Sequence, residues 1–308
     1  MRQNGKTMSK YNFSNDILPN IIASPLLNSE EFVVILDTKG RLCRKLPLTG
    51  LLEEGYVKQI EYVNTASKAT LFAADESGYI YTCPIAAIPY GKPTKLFPSE
   101  IIYIMIYEKG LDNILILTRS GNLQIVPTSA IENHMSVIKY DRIGFMSEMR
   151  PEDYFCIAFT NGYATKIKLS ALFAEGGNKH FFKKSEEFGY IANCCIASQE
   201  ATGLLYINDD FQGFCTHFGW MLSFKGTGGH VDRTKGSKWY NGYLRWFAAI
   251  GPNDSILINN DELFYALDVF PIQNYNRTGG TLIPDNKWQD DLHNLAIEEN
   301  VIFTLIKG

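Results

Sequence analysis

The chain repeats itself. VVILDTKGRLCRKLPLTGL (33–51) is followed by TLFAADESGYIYTCPIAAI (70–88), NILILTRSGNLQIVPTSAI (113–131) and YFCIAFTNGYATKIKLSAL (154–172). Each copy holds an apolar run, a polar turn closed by Gly40, Gly78, Gly121 or Gly162, a second run, and then Pro47, Pro84, Pro127 or Lys168. Four residues further on stands Leu51, Ile88, Ile131 or Leu172, at successive intervals of 37, 43 and 41 residues. Self-similarity at such a period calls for a fold built by stacking small units that cannot stand alone.

One unit is a β-hairpin: two short strands joined by a tight turn whose last residue favours Gly, because positive φ carries no steric penalty there. The Pro slot ends the pairing by removing a backbone donor, and the apolar residue four positions later can tuck a short turn back against the sheet. Two weaker copies follow, GLLYINDDFQGFCTHF (203–218) and SILINNDELFYALDVF (255–270), with Phe211 and Glu262 in the Gly slot, so different turns are expected there. Further strand-like segments, 101–107, 194–197, 246–250 and 301–306, stand before most hairpins or at the terminus. Radial repetition solves the burial problem of such units while leaving only short sheet edges. The reading is an all-β chain: a single six-bladed β-propeller over residues 26–308, one blade per 37–51 residues, preceded by a polar arm at residues 1–25.

Charge and cysteine usage narrow the partners. With 29 basic against 33 acidic residues the formal net charge is -4, so a polyanion site has to be local rather than spread over the surface. No apolar run has the length of an export signal or a spanning helix, and a cytoplasmic protein without a membrane partner is expected. Cys43, Cys83, Cys156, Cys194, Cys195 and Cys215 form no CxxC pair and fall mostly in apolar runs, as reduced structural thiols do. Adjacent Cys194 and Cys195 would point to opposite faces of a strand. The five histidines show no i, i+4 pair or HExxH, so no metal or other cofactor is expected. Acid pairs such as Asp209-Asp210 and Asp290-Asp291 sit where turns are expected. With no nucleophile elbow or legible acid–base set, the chain reads as a non-enzyme; an enzyme would need carboxylates converging from separate blades on a central channel.

Three further features carry a family resemblance: the turns Thr38-Lys39-Gly40, Thr118-Arg119-Ser120-Gly121 and Thr160-Asn161-Gly162; the basic following strands with Arg41, Arg44, Lys45, Lys166 and Lys168; and the late loop Asn276-Arg277-Thr278-Gly279-Gly280. Over about residues 30–308 the chain resembles the C-terminal β-propeller of bacterial type IIA topoisomerases, the A subunit of DNA gyrase and its topoisomerase IV counterpart. The resemblance implies a six-bladed disc of the pinwheel type, whose basic rim binds and bends duplex DNA beside a topoisomerase core that breaks and passes strands. The Gly-rich basic heptapeptide that gyrase needs for chiral wrapping is absent.

The richest polyanion candidate is 217–246, with Lys225, Arg233, Lys235, Lys238 and Arg245 against the single acid Asp232, interleaved with Trp220, Trp239, Tyr240, Tyr243 and Trp246. Its cations would engage phosphate without reading sequence. The same composition also suits a long inter-strand loop with aromatics packed between blades. The hairpin set Lys39, Arg41, Arg44 and Lys45, with Lys58 and with Arg119 in the third turn, would lie on the rim by homologous position, and Arg277 in the late loop joins it. Solubilising edge charge is the alternative for the hairpin set. Lys179, His180, Lys183 and Lys184, followed by Glu186 and Glu187, read as a balanced exposed loop. Duplex DNA is thus one partner expected; a protein partner of a disc that has lost most DNA affinity is the other.

Overall fold

Strands whose apolar residues run continuously, rather than alternate, are strands covered on both faces. The computed structural model describes residues 32–45, 57–63, 69–107, 111–131, 135–136, 141–160, 163–174, 178–180, 191–218, 237–238, 243–259, 264–269, 276–278, 281–284, 286–296 and 301–306. Gly162, Glu262 and the 1–25 arm lie outside them. The described residues are predominantly β, in small antiparallel sheets. Six hairpins recur: Phe32–Asp37 with Leu42–Lys45, Thr70–Asp75 with Tyr79–Pro84, Asn113–Thr118 with Asn122–Pro127, Tyr154–Phe159 with Tyr163–Lys168, Gly203–Asn208 with Gly213–His217, and Ser255–Asn259 with Phe264–Asp268. Every residue of Gly203–Asn208 and of Ser255–Asn259 is buried, so neither face of these strands meets water.

The connections complete each sheet in a fixed order. Val57–Val63, Ile101–Tyr107, Ile143–Glu148, Ile191–Ala197, Leu244–Ile250 and Ile302–Ile306 each pair with the first strand of the hairpin that precedes them. The sequence pattern had set such segments before the following hairpin; the antiparallel return instead lands on the free inner edge of the hairpin just completed. On the way, the chain covers the outer edge of the hairpin one unit earlier. Tyr90 and Thr94 bridge to Arg44 and Leu42 of the first hairpin, and Met135–Ser136, Asn178–His180, Ser237–Lys238 and Thr281–Ile283 pair with the second strands of the next four. Neighbouring sheets are therefore laced together by shared chain as well as by packing.

Apolar clusters fill the spaces between successive sheets. Leu36 and Leu42 pack on Leu71 and Ile101; Phe72 and Ile80 on Ile114 and Ile116; Leu115 and Leu117 on Phe155 and Ile157. Cys156 and Ala158 then meet Leu204 and Tyr206, and Leu205 and Ile207 meet Ile256 and Ile258. Leu257 and Ile306 close against Val33 and Ile35 of the first sheet. Alternate residues of one strand thus serve two neighbours, as the two-residue side-chain period requires.

The turns are held by buried polar side chains. Asp37 Oδ1 accepts from the Lys39 and Arg41 amides at 2.9 and 2.8 Å, Asp75 Oδ1 from those of Ser77 and Tyr79, and Asn208 Oδ1 from those of Asp210 and Gln212. Gly40, Gly78 and Gly121 take φ of 71°, 83° and 93°. Phe211 takes φ 55°, and its amide donates to Asn208 O as Gly40 N does to Asp37 O. The expectation of a different fifth turn is corrected: the same turn forms without Gly. Left-handed backbone costs a non-Gly residue about 1–2 kcal/mol. Packing of the Phe211 ring beside Phe303 and under Arg245 offsets it. After the second and third hairpins short turns at Ile85–Ala87 and Thr128–Ala130 tuck Ile88 and Ile131 back, and Leu172 does so from a helix, Leu169–Ala174.

A second helix, Asn286–Leu295, occupies sequence expected to turn at Asp290-Asp291. It buries Trp288 and Leu292 between the fifth and sixth sheets. Gln289 clasps the hairpin edge, donating Nε2 to Gly213 O at 2.6 Å and accepting from Gly213 N at 2.9 Å. A Cβ at Gly213 would overlap the Trp288 ring. Gly213→Ala is expected to cost about 1–3 kcal/mol through this overlap, measured by urea unfolding, whereas Gly91→Ala meets no neighbouring atom and pays only for its positive φ.

Candidate nucleic-acid interface

The cations proposed from sequence divide by what the fold asks of them. Lys39 and Arg119 are exposed on the hairpin turns of the first and third sheets. Arg41 lies beside Lys39, but its Nε is paired with buried Asp37 at 2.7 Å, so it braces its own turn. Arg44 is spent across a sheet boundary: Nε donates to Ile88 O at 2.7 Å and Nη2 to Ala86 O at 3.3 Å. Its backbone also exchanges bonds with Pro89 O and Gly91 N. The Arg245 guanidinium stacks 4.9 Å from the Phe211 ring centroid. Lys166, part of the basic-strand resemblance, is buried with Nζ 2.7 Å from Phe218 O and 4.1 Å from the Phe218 ring centroid.

The backbone places Lys238 and Arg277 on outermost strands. Lys238 pairs with Tyr163 at the outer edge of the fourth sheet, and Arg277 stands in Asn276–Thr278, the last strand of the five-stranded fifth sheet. Lys45 ends the second strand of the first sheet. Lys225, Arg233 and Lys235 lie outside the described residues. Lys179, read as part of a charge-balanced loop, falls instead in the outermost strand of the third sheet, Asn178–His180. Sequence reasoning also passed over exposed Lys92 and Lys95, beside the segment that covers the first sheet's outer edge. Their signal was the following-unit crossover, which no local motif announces.

Around the turns of the first three sheets charges of both signs meet. Arg142 pairs with Glu76, and Ser120 donates to Asp141. Lys58 is held below the ordinary lysine range mainly by burial; Arg119 and Arg142 push the same way, while Glu100 and Asp37 oppose them. That surface is mixed rather than uniformly basic.

The six inner strands surround an axial cavity of about 570 Å³ that includes Lys58, Glu61, Glu148, Asn193, Cys195 and Thr304 in its wall. Their free edges are partly satisfied by side chains of neighbouring strands. Gln59 donates to Ile104 O and accepts from Ile104 N, Tyr103 Oη donates to Met146 O, and Thr304 Oγ1 donates to Ile60 O. Burial in this wall raises the Glu61 carboxyl to about 7, against a hydrogen bond from Gln59 Nε2 at 2.7 Å. Glu61 and Glu148, from the first and third sheets, are thus both residues of this wall. Among the described residues no group of three or more His, Cys, Asp or Glu is arranged to hold a metal ion.

The fold has known counterparts. The structure of a DNA gyrase A C-terminal domain superposes with a TM-score of 0.59 at 17% identity, covering 83% of this chain and 97% of that one. The chain is similar in fold to the gyrase A C-terminal domain. The C-terminal domain of a DNA topoisomerase IV superposes with a TM-score of 0.53 at 12% identity, covering 90% and 94%. No family model matches, and no curated protein matches by sequence. The expected β-propeller of pinwheel type agrees with these likenesses. No helix among the described residues is long and apolar enough to cross a membrane.

Two outcomes follow from the division of roles. Arg44→Ala should cost about 1–3 kcal/mol by removing charge-assisted bonds between sheets, while Arg119→Ala stays within about 0.5 kcal/mol; paired urea titrations measure both. Glu61 binds its proton more tightly in the folded state, so its contribution to stability is greatest below pH 4.5 and is lost as pH rises to about 7. Relative to wild type, Glu61→Gln should therefore gain stability progressively across that window and level off above it, read from thermal midpoints at each pH.

Proposed function

We propose that the chain is a non-catalytic, six-bladed β-pinwheel that binds and bends duplex DNA through its rim, without choosing sequence, beside a type IIA topoisomerase core. The observation that carries this reading is the fold likeness, which takes in 97% of the gyrase A C-terminal domain. Six sheets in cyclic contact support the blade count. The outermost strands supply cations at separated points: Lys179 on the third sheet, Lys238 on the fourth and Arg277 on the fifth. Exposed Lys92 stands beside the first. Rim cations so spaced would follow a phosphate backbone bent round the disc, releasing counterions in proportion to the phosphates neutralised. Lys225, Arg233 and Lys235 join this set as contacts from the long 217–246 segment, and exposed Lys39 and Arg119 as contacts from the turns. Arg41, Arg44 and Arg245, expected in the same set, already have partners within the fold.

A second reading, a protein-binding propeller with little DNA affinity, draws on that withdrawal of three arginines and on the net charge of -4. Mobility-shift titration with a duplex of about 100 base pairs separates the two. On the DNA reading, log affinity falls linearly with log salt at roughly 0.9 per phosphate engaged. Joint substitution of Lys225, Lys235 and Lys238 by Glu weakens binding at least about ten-fold at low salt by removing counterion release. Absence of binding at low salt, or a response flat in salt, would leave the protein-binding disc.

A further inference from the structure

Three strands of the fourth sheet bring a row of reactive side chains into register. Cys156 stands directly opposite Cys195 on one side and directly opposite Lys166 on the other. Residues facing each other across antiparallel strands have Cα atoms about 4.5–5.5 Å apart, inside the roughly 4.4–6.8 Å that a disulfide spans. Cys156 and Cys195 pack in the same apolar cluster against the fifth sheet, close enough for Cys195 to help raise the Cys156 thiol. Cys194, next in sequence, belongs to the cluster on the other face. Cys156 is fully buried, whereas half-buried Cys195 also forms part of the axial cavity wall. Cys43, Cys83 and Cys215 lie in three other clusters, away from this pair.

We propose that Cys156 and Cys195 form an oxidisable dithiol, a modification site at which a peroxide entering the axial cavity converts two thiols into a cross-strand disulfide. Cys195 Sγ takes one oxygen from the peroxide, becoming a sulfenic acid as the peroxide's other oxygen leaves as water. Cys156 Sγ then attacks Cys195 Sγ; the S–S bond forms, the S–O bond breaks, and the departing hydroxide leaves as water with the Cys156 proton. Two thiols lose two electrons in all, and one peroxide gains them. Burial holds the Cys156 thiol well above its ordinary range, and the Lys166 ammonium opposes that shift. The solvent-reached partner is therefore the one oxidised first, and the buried one resolves it beside a cation that favours its thiolate. The bond joins strands already hydrogen-bonded, so the fold survives the oxidation.

The full chain treated with hydrogen peroxide should lose about 2 Da, the mass of two hydrogens, reversibly with dithiothreitol, and peptide mapping should link Cys156 to Cys195. The bridge closes a loop of about 40 residues, so the oxidised protein should melt several degrees higher. Cys156→Ser and Cys195→Ser should each abolish the bridge, and Cys194→Ser should keep it. Because peroxide acts slowly on a protonated thiol, phenylarsine oxide supplies a second measurement: wild type should bind one equivalent and either Ser variant none. A bridge that includes Cys194, overoxidation without any bridge, or arsenical uptake that survives Cys195→Ser would overturn the assignment.

Discussion

A sheet of three to five short strands whose two faces are both apolar cannot stop anywhere in water. Each face needs a neighbour, and that neighbour has a second face with the same need. Burial of one Leu or Ile stabilises by about 1.5–3 kcal/mol, so an open stack would forfeit a whole face at each end. Contact of Leu257 and Ile306 with Val33 and Ile35 removes both ends at once. Covering of each of the first five hairpins by chain from the following unit acts in the same direction, since none of these sheets is complete until its successor has formed. A ring turns the bare edges of its innermost strands toward the axis, where Gln59, Tyr103 and Thr304 supply part of the missing hydrogen bonding.

The same closure determines which cations are available to a ligand. Arg44 sits where two sheets are joined and is consumed by the joint; Arg41 is consumed by the aspartate of its turn; Arg245 covers the ring of a strained phenylalanine. Lys39 and Arg119 stand exposed on turn tips instead. On the DNA reading proposed above, a polyanion site on a disc of acidic balance would draw on cations that the framework leaves exposed. Such a site would lie at the outer edge rather than along the basic strands that first draw the eye.

Much of the architecture was legible because hairpin signals are local. The Gly-closed turns, the apolar runs and the residue four beyond the Pro slot each depend on neighbours within one unit, and Ile88 and Leu172 sit buried as their spacing implied. Phe211 escaped because its backbone is held by Asn208 and its ring by residues from elsewhere in the chain, so the strain and its relief are not in the same stretch of sequence. The helix Asn286–Leu295 escaped because Asp290 and Asp291 favour turns locally, while the space between the fifth and sixth sheets rewards the burial of Trp288. Basic character was visible in every candidate residue, but the difference between Lys39 and Arg44 was not.

By itself the amino-acid sequence determined the repeating unit, the strand currency and the all-β class, because hydrophobic period and turn chemistry act over a few residues. The tertiary structure alone decided which strand pairs with which hairpin, which arginines are spent between sheets, and that Cys156, Cys195 and Lys166 stand in one row. Those outcomes depend on register between segments tens of residues apart, where a shift of one position turns every side chain to the opposite face.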